Sequence, residues 1–266
     1  MPEGPEVKIV ADFLNKKLKK KTITDLNYCS KPYKKKYGEL IKELNQFTPI
    51  KFEKVFCIGK ASFLKIGKHH YFSYHLGMTG KWSEIKEKHS HLIIKTSNQD
   101  QLYFTDTRRF GNIKLLKEGN LLKKYPKERD LLNYNTSIKK NVDYLIKNIQ
   151  TNQEVCKVLL NQKYFCGVGN YLKSEILYHS KIHPHRSWSS LNKKEITNLC
   201  IFTREIMKKA YISGGAELRD FKNPKKDSKL RLNAYGKKID SKKRLIVNYI
   251  TKDQRRTYWC PKIQKL

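Results

Sequence analysis

The sequence predicts an α+β protein with an N-terminal helix, an antiparallel β-sandwich or barrel, a helical region and a final two-stranded hairpin. Two observations support this prediction. Short β-branched and aromatic runs recur between residues 22 and 116, separated by breaks rich in Gly, Lys and Asn, which is typical of antiparallel sheets. Between residues 138 and 213 the apolar residues recur at helical spacing instead. The length of 266 residues allows one large domain or two smaller ones.

The elements of the first half follow in order along the chain. The spacing of apolar residues indicates an amphipathic helix over residues 7–18. Six strands are predicted after it, over residues 50–57, 62–66, 70–76, 92–96, 101–105 and 112–116. The polar and charged stretch 117–135 comes next, and we expect it to be a linker.

The second half is mainly helical. Four helices are predicted, over residues 143–151, 152–160, 170–179 and 193–211. The lysine-rich segment 222–229, which follows a Gly-Gly pair, is expected to be a mobile loop. Two strands, 244–250 and 256–260, are joined by a turn at 251–254. These breaks predict an N-terminal domain over residues 1–128, a helical domain over 136–232 and a hairpin over 233–266.

The composition points to a polyanionic partner. Lys and Arg total 57 against 24 Asp and Glu, a formal net charge of +33, and such a surplus favours nucleic acid. An anionic membrane surface is the weaker alternative, because the basic residues are spread along the whole chain. No apolar run approaches the ~20 residues of a membrane span, and no signal peptide is recognised. The six cysteines form no CxxC pair, which indicates reduced thiols in an intracellular, soluble protein.

The first residues, MPEGPEV, carry a candidate nucleophile. Removal of Met1 would leave Pro2 with a secondary α-amine, whose pKa near ~8 keeps far more of it neutral at pH 7 than a lysine near ~10.4. A neutral amine forms a Schiff base with a carbonyl carbon, and the neighbouring Glu3 is placed to shuttle protons. The alternative is structural, because proline and acids are also favoured in the first turn of a helix.

Four further segments attract attention: HLGMTG at 75–80, TDTRRFG at 105–111, LLNQKYFCGVGNYLKSE at 159–175 and QRRTYWCP at 254–261. The Gly-Val-Gly-Asn sequence before a helix would let the backbone approach a phosphate at the free helix amides, with Asn170 as a further donor. The alternative is a helix connection in which Asn170 is the N-cap. At the hairpin tip, Arg255 could grip a phosphate or be an ordinary turn cation.

A second group of residues has the chemistry to fill a gap in a base stack. Arg108 and Phe110 are two apart on a segment expected to be β, so they would project to the same side. Together with Met78 from another loop, they could enter a vacancy in stacked bases. The alternative is an exposed arginine and a core phenylalanine.

The N-terminus and these four segments, in this order, resemble the formamidopyrimidine-DNA glycosylase/endonuclease VIII family of base-excision repair enzymes. The resemblance runs from Pro2 to Gln264. It implies a fold with an N-terminal helix and β-sandwich, then a helix–two-turns–helix domain that ends in a β-hairpin finger. It also implies damaged DNA, duplex or single-stranded, as the partner, no cofactor, and a protein that acts as a monomer.

The resemblance assigns catalytic roles to a few positions. Pro2 matches the Schiff-base nucleophile and Glu3 the proton donor for base release, with Glu6 as a supporting acid. Lys60 matches the lysine that contacts phosphates and assists β-elimination. Arg255 matches the finger arginine associated with phosphate grip and δ-elimination.

The remaining matched positions contact DNA. His75 and Asn170 match phosphate ligands. Met78, Arg108 and Phe110 match the residues that fill the void left by the extruded base. All three void-filling positions are present, which is not true of every branch of the family.

The finger departs from the pattern of many family members, which build it on four zinc-binding cysteines. Cys260 is the only cysteine after Cys200, DSKK at 240–243 stands where Cys-x-x-Cys is usual, and Ile263 replaces the fourth ligand. A tetrahedral site needs four such ligands, so a zincless finger is predicted, with no metal. Its packing is expected to rest on Tyr235, Ile246, Tyr249, Tyr258 and Trp259.

The resemblance therefore implies a bifunctional DNA glycosylase and abasic-site lyase. The segment 217–233, which matches the loop that caps 8-oxoguanine, is short and lysine-rich; with the zincless finger it favours oxidised pyrimidines and hydantoins. The alternatives are a catalytically silent DNA- or RNA-binding protein on the same scaffold and a basic packaging protein. The first alternative does not need the Pro2-Glu3 pair, which favours the enzyme. The second does not need Arg108, Phe110, Asn170 and Arg255 in these settings.

Overall fold

The computed structural model of the chain describes residues 1–132, 136–216, 223–224 and 230–266. The described residues belong to two compact units. One holds residues 1–2, 6–125 and 223–224, and the other holds residues 3–5, 126–216 and 230–266. The predicted division into three domains stays a prediction.

Helix α1 (Gly4–Leu18) opens the chain, and two antiparallel sheets follow it. Strands β1 (Thr22–Tyr28), β2 (Ile50–Lys51), β6 (Lys81–Ser83), β7 (Ser90–Thr96) and β8 (Gln101–Thr105) form one sheet, in the order β2-β1-β7-β8-β6. Strands β3 (Val55–Ile58), β4 (Ala61–Gly67), β5 (His70–His75) and β9 (Asn112–Lys117) form the other, in that order.

Buried aromatic side chains connect the two sheets. Tyr74 on β5 packs edge-on against Trp82 on β6, with ring centroids 5.7 Å apart, and Trp82 contacts Phe104 on β8 at 5.4 Å. All three rings are fully buried. Because alternate residues of a strand face the same side, these inward side chains form one core between the sheets, and the predicted antiparallel β-sandwich is confirmed.

Three elements between residues 22 and 116 were missed. Strands β1 and β6 were not among the six predicted strands. In a region expected to be rich in β-structure, residues Lys31–Asn45 form helix α2. Its buried residues recur every three or four positions: Tyr33, Tyr37, Ile41 and Leu44. That is the helical period, and the lysines between these residues lowered its visibility in the sequence.

Other boundaries shift by a few residues. The predicted helix over residues 7–18 begins at Gly4, and the predicted strand 50–57 is divided into β2 and β3. The stretch 117–135, expected to be a linker, includes helix α3 (Glu118–Lys124) and a 3-10 turn (Lys127–Arg129).

The second unit is built from helices α4 (Ile138–Asn148), α5 (Val155–Leu160), α6 (Asn170–Ser180) and α7 (Lys193–Ile212). The prediction placed α4 five residues too late, because Ser137 caps the helix by accepting a hydrogen bond from the Lys140 amide at 3.2 Å. Helix α6 is central, since all of its residues from Tyr171 to Tyr178 are buried.

The chain ends in a hairpin of β10 (Val247–Ile250) and β11 (Arg256–Trp259), so the first strand begins three residues later than predicted. A small core, formed by Tyr178 of α6 with Ala234, Ile246 and Cys260, lies beneath it. The predicted loops 222–229 and 217–233 lie mostly outside the described residues, which include only 223–224 and 230–233 of them. Among the described helices, none is sufficiently long and apolar to span a bilayer.

Candidate functional site

Glu3 lies at the N-terminus of helix α6 and is only 2% exposed. Its Oε2 accepts hydrogen bonds from the amides of Gly169 (2.6 Å) and Leu172 (3.3 Å), and its Oε1 accepts one from Tyr171 (2.9 Å). These donors and the positive end of the helix dipole stabilise the ionised carboxylate. The expectation that these amides are open to a phosphate is therefore wrong, because the protein's own carboxylate occupies them.

The glycines before α6 make this arrangement possible. A Cβ on Gly169 would lie 2.3 Å from Cδ of Glu3, so any side chain there would displace the carboxylate. Gly167 has φ +86°, which favours glycine, and its carbonyl accepts a hydrogen bond from the Gly4 amide at 2.9 Å. Gly169 thus leaves room for the Glu3 side chain, and Gly167 binds the backbone of Gly4.

Pro2 and Glu6 flank this contact in sequence. Pro2 is buried and bonded directly to Glu3, and Glu6 lies in the first turn of α1 with no solvent exposure. The predicted helix-start alternative is consistent with this geometry, and it does not conflict with a catalytic role for Pro2.

Lys60 and His75 are brought together by the pairing of β4 with β5. Lys60 lies in the β3–β4 turn after Gly59, which has φ +57°, and the adjacent Ala61 pairs with His75 across the β4–β5 ladder. Burial, together with the positive charge of Lys60, lowers the pKa of His75. Its Nδ1 accepts the Gly77 amide hydrogen bond at 3.0 Å. A neutral ring with Nδ1 as acceptor carries its proton on Nε2, and that proton is the one available for donation.

Met78 and Arg108 are also brought together, since Nη1 of Arg108 donates to Sδ of Met78 at 3.5 Å. Arg108 and Phe110 are both exposed, and the Phe110 side chain is 61% exposed. Phe110 is therefore not a core residue. The segment is a loop rather than a strand, and Arg109 between them has φ +56°. The strand argument for their common direction was therefore wrong, although both side chains do reach solvent.

Asp106 and Thr79 hold this pair of loops in place, and the sequence did not single them out. The buried Asp106 carboxylate accepts from the Thr79 hydroxyl and from the Gly111 amide (2.6 Å). The Thr79 oxygen in turn accepts from the Arg108 amide at 3.0 Å. Only the position of Asp106 inside TDTRRFG could have suggested its role, because a short acid in a turn often binds nearby amides.

Asn170 is the first residue of α6 rather than its N-cap, which is Gly169. Its Nδ2 donates to the carbonyl of Arg256 at 3.0 Å, so this donor is engaged by the hairpin. Arg255, the neighbour of Arg256, lies in the hairpin turn with its side chain exposed. Asn170 and Arg255 are thus brought into one region of the second unit.

Asp240 organises the hairpin, and it stands where the zinc-binding pattern would have a cysteine. Its carboxylate accepts from the amides of Lys242 (2.8 Å) and Arg244 (2.9 Å), from Arg244 Nε (2.6 Å) and from the Tyr178 hydroxyl (2.9 Å). Burial opposes ionisation, but the hydrogen bonds from the backbone and side chain of Arg244 outweigh it and lower the pKa of Asp240 to about 2.

The expected aromatic packing of the hairpin is present. The Tyr235 ring lies 5.2 Å from that of Tyr258, and the Tyr249 ring lies 5.9 Å from that of Trp259. Ile246 belongs to the small core beneath the hairpin. Within the described part of the chain, no cluster of three or more His, Cys, Asp or Glu side chains is arranged to hold a metal ion.

Two family models match the chain. Residues 1–113 match the formamidopyrimidine-DNA glycosylase N-terminal domain, and residues 134–222 match the formamidopyrimidine-DNA glycosylase H2TH domain. The chain is 32% identical to the formamidopyrimidine-DNA glycosylase of Bacillus cereus over 252 residues, which cover 90% of this chain and 89% of that one. It is 36% identical to the enzyme of Zymomonas mobilis over 155 residues, and that match spans only 57% of either chain.

The fold is similar to a solved structure of a protein bound to DNA. The complex of Lactococcus lactis Fpg with DNA containing an abasic site superposes with a TM-score of 0.83 at 27% identity, over 99% of this chain and 100% of that one.

Proposed function

The chain belongs to the formamidopyrimidine-DNA glycosylase family, and from that premise we propose that it is a bifunctional DNA glycosylase and abasic-site lyase of base-excision repair. The observation that carries the proposal is the Glu3 carboxylate, held by three amides at the start of α6. A buried charge costs free energy unless it is fully hydrogen-bonded. This chain holds one next to Pro2, the candidate nucleophile.

The reaction begins at Pro2 after Met1 is removed. The neutral secondary amine attacks C1′ of the damaged nucleotide while the bond from C1′ to the base breaks, and the base leaves with the electron pair. The ionised Glu3 takes the proton from the attacking nitrogen and passes it to the departing base. The nitrogen lone pair then breaks the C1′–O4′ bond, O4′ takes a proton from water, and the product is a cationic iminium between Pro2 and C1′.

Strand cleavage follows from the iminium. Its positive charge acidifies the C2′ hydrogens, so loss of a C2′ proton breaks the C3′–O bond and releases the 3′ phosphate. A second elimination breaks the C5′–O bond and releases the 5′ phosphate. Lys60 assists the first step, and Arg255 holds the phosphate for the second.

The DNA-binding roles follow from exposure and charge. The target nucleotide must leave the stack, since its C1′ is not accessible inside the duplex. The half-buried Met78 and the exposed Arg108 and Phe110 fill the vacancy. His75 contacts a phosphate as a neutral donor through Nε2. The Nδ2 group of Asn170 carries two hydrogens, so it can donate one to the Arg256 carbonyl and the other to a phosphate.

Two lesion classes are candidates, and each has its own support. The zincless finger favours oxidised pyrimidines and hydantoins. The relatives from B. cereus and Z. mobilis are named for formamidopyrimidines, which are ring-opened purines. Excision rates on duplexes carrying thymine glycol, a hydantoin, a formamidopyrimidine or 8-oxoguanine would rank the two classes.

Borohydride trapping tests the proposed function. Reduction of the iminium should join the protein covalently to a duplex that carries an abasic site, and peptide mapping should place the bond at Pro2. A Pro2→Gly variant that still loses Met1 is the matched control. The imine formed by its primary amine can be neutral, whereas the iminium formed by proline is always cationic. If the wild-type protein binds the duplex but gives neither a trapped species nor strand cleavage, the silent DNA-binding alternative replaces the enzyme.

A further inference from the structure

A buried ion pair in the second unit takes no part in the proposed reaction. Lys173 of α6 has a side chain with no solvent exposure, and its Nζ lies 2.5 Å from Oδ2 of Asp253, whose side chain is 5% exposed. Burial lowers the pKa of Lys173, and the hydrogen bond to Asp253 opposes that effect. Such pairs seldom add stability compared with apolar residues of similar size, so stability alone does not explain why this chain holds the pair.

Asp253 connects the helix to the backbone of Arg255. Its second oxygen, Oδ1, accepts the Arg255 amide hydrogen bond at 3.1 Å and also accepts from the Thr251 hydroxyl. The turn is closed by a hydrogen bond from the Thr251 amide to the Arg255 carbonyl at 3.1 Å. Gln254, inside the turn, has φ +60°. Asp253 is therefore the centre of the turn that presents Arg255.

Helix α6 holds the next residue as well. Asn170, three positions before Lys173, donates to the carbonyl of Arg256. The backbone on either side of the Arg255 side chain is thus fixed to the same helix, while the side chain itself is exposed. A rigid backbone under a flexible arginine reduces the ordering cost of a bidentate phosphate contact.

We propose that Lys173 and Asp253 are a positioning pair that sets the backbone of Arg255 for its phosphate contact, and thereby controls the second elimination. This inference rests on the proposed function. It identifies neither residue as catalytic, because both act through Arg255. Iminium formation depends on Pro2 and Glu3, whereas this pair acts on the backbone of Arg255, so its replacement should affect the second elimination and leave iminium formation.

The test replaces the pair by apolar residues of similar size in the double variant Lys173→Met/Asp253→Leu. Such a replacement is often neutral or stabilising for the fold, so the variant remains interpretable, and circular dichroism and thermal unfolding check it. On a duplex with a preformed abasic site, the fraction of product from the second elimination should fall at least about fivefold. The rate of borohydride trapping at saturating DNA should stay within about twofold of the wild type.

Two further variants show whether the effect is specific to the pair. Lys173→Arg keeps the cation beside Asp253 and should retain most of the second elimination. Arg255→Ala should lose it, and adding the double replacement to Arg255→Ala should cause little further change, because coupled residues are not additive.

The outcomes separate the two proposals. A folded double variant with the wild-type product ratio overturns the positioning role, and so does full additivity with Arg255→Ala. If the wild type itself neither traps nor cleaves, the proposed function fails, and the positioning role fails with it.

Discussion

The Glu3 carboxylate fills the space that a side chain at Gly169 would need: a Cβ on Gly169 would lie 2.3 Å from the carboxyl carbon of Glu3. The glycine is needed because of the side chain in front of it rather than because of its own backbone angles. The N-terminal segment and the start of α6 are therefore constrained by each other.

Gly169→Ala should displace the Glu3 carboxylate and remove its hydrogen bonds to the α6 amides. Overpacking of this kind costs about 1–3 kcal/mol of stability, and we expect the rate of borohydride trapping to fall at least about tenfold. Urea unfolding and trapping kinetics measure the two effects. The control is Gly38→Ala in α2, where an added Cβ meets nothing within 4 Å and stability should rise by up to about 1 kcal/mol. Equal trapping rates for the two variants would contradict the prediction.

Glu3→Gln keeps the shape of the side chain but removes its charge and presents an amide donor toward the α6 amides. Loss of a general acid–base group costs about 10²- to 10⁴-fold in rate. Base excision from a lesion duplex should fall by an amount in this range. Cleavage of a preformed abasic site should fall less, because no base has to leave. Single-turnover rates on the two substrates measure the difference, and an equal loss on both would show that Glu3 acts only in iminium formation.

The sequence was sufficient for the outline of the fold but not for its exact contacts. Strand alternation and helical spacing are local signals, so the sandwich and helices α6 and α7 were predicted within a few residues. Helix α2 was missed because Tyr33, Tyr37, Ile41 and Leu44 are an apolar stripe diluted by lysines. Its pattern is visible only when the helical period is sought directly.

The site was only partly predictable, for a different reason. The proposed roles of Pro2 and Glu3 come from amine and carboxylate chemistry, which is local. The contact of Glu3 with Gly169 joins residues 166 positions apart, and no local pattern encodes it. The burial of Lys173 could not be foreseen either, because a single lysine in a lysine-rich chain carries no signal until its partner Asp253 is located.

His75 should titrate below the usual range of histidine, because burial and the charge of Lys60 both disfavour its protonated form. Lys60→Met should raise the pKa of His75 toward its usual value near ~6.5. NMR titration of the His75 ring in the wild type and in the variant measures the shift. No change on removal of Lys60 would show that burial alone lowers the value.

The same depressed pKa predicts how stability depends on pH. Since the unfolded chain binds a proton more readily than the folded one, the His75 contribution is complete above about pH 6.5 and is lost as the pH falls toward the folded pKa. His75→Gln should remove this component. The difference in urea-unfolding free energy between wild type and variant, followed from pH 7.5 down to about pH 5, isolates it from the other histidines.

Thr79→Val should loosen the loops that carry Met78 and Arg108, because it removes the hydroxyl that binds Asp106 and the Arg108 amide. Loss of the hydroxyl removes one hydrogen-bond donor from the buried Asp106 carboxylate, which should cost about 1–3 kcal/mol. Thr79→Ser keeps the hydroxyl and is the matched control. We expect weaker binding to a lesion duplex for Thr79→Val than for Thr79→Ser, measured by fluorescence anisotropy at fixed salt. Identical affinities would mean that these loops do not need the hydroxyl.

The hairpin should depend on Asp240 rather than on a metal ion. Asp240→Asn removes the charge that Arg244 and the Tyr178 hydroxyl surround, so the thermal midpoint and the activity on abasic DNA should both fall. Dialysis of the wild type against a chelator should change neither. A zinc-dependent hairpin would give the opposite pair of results, because it would be sensitive to the chelator and tolerant of the substitution.

The contribution of Asp240 to stability is present above its unfolded pKa near ~3.9 and is lost as the pH falls toward its folded pKa of about 2. Acid unfolding of the wild type should therefore show a component in this window that Asp240→Asn lacks.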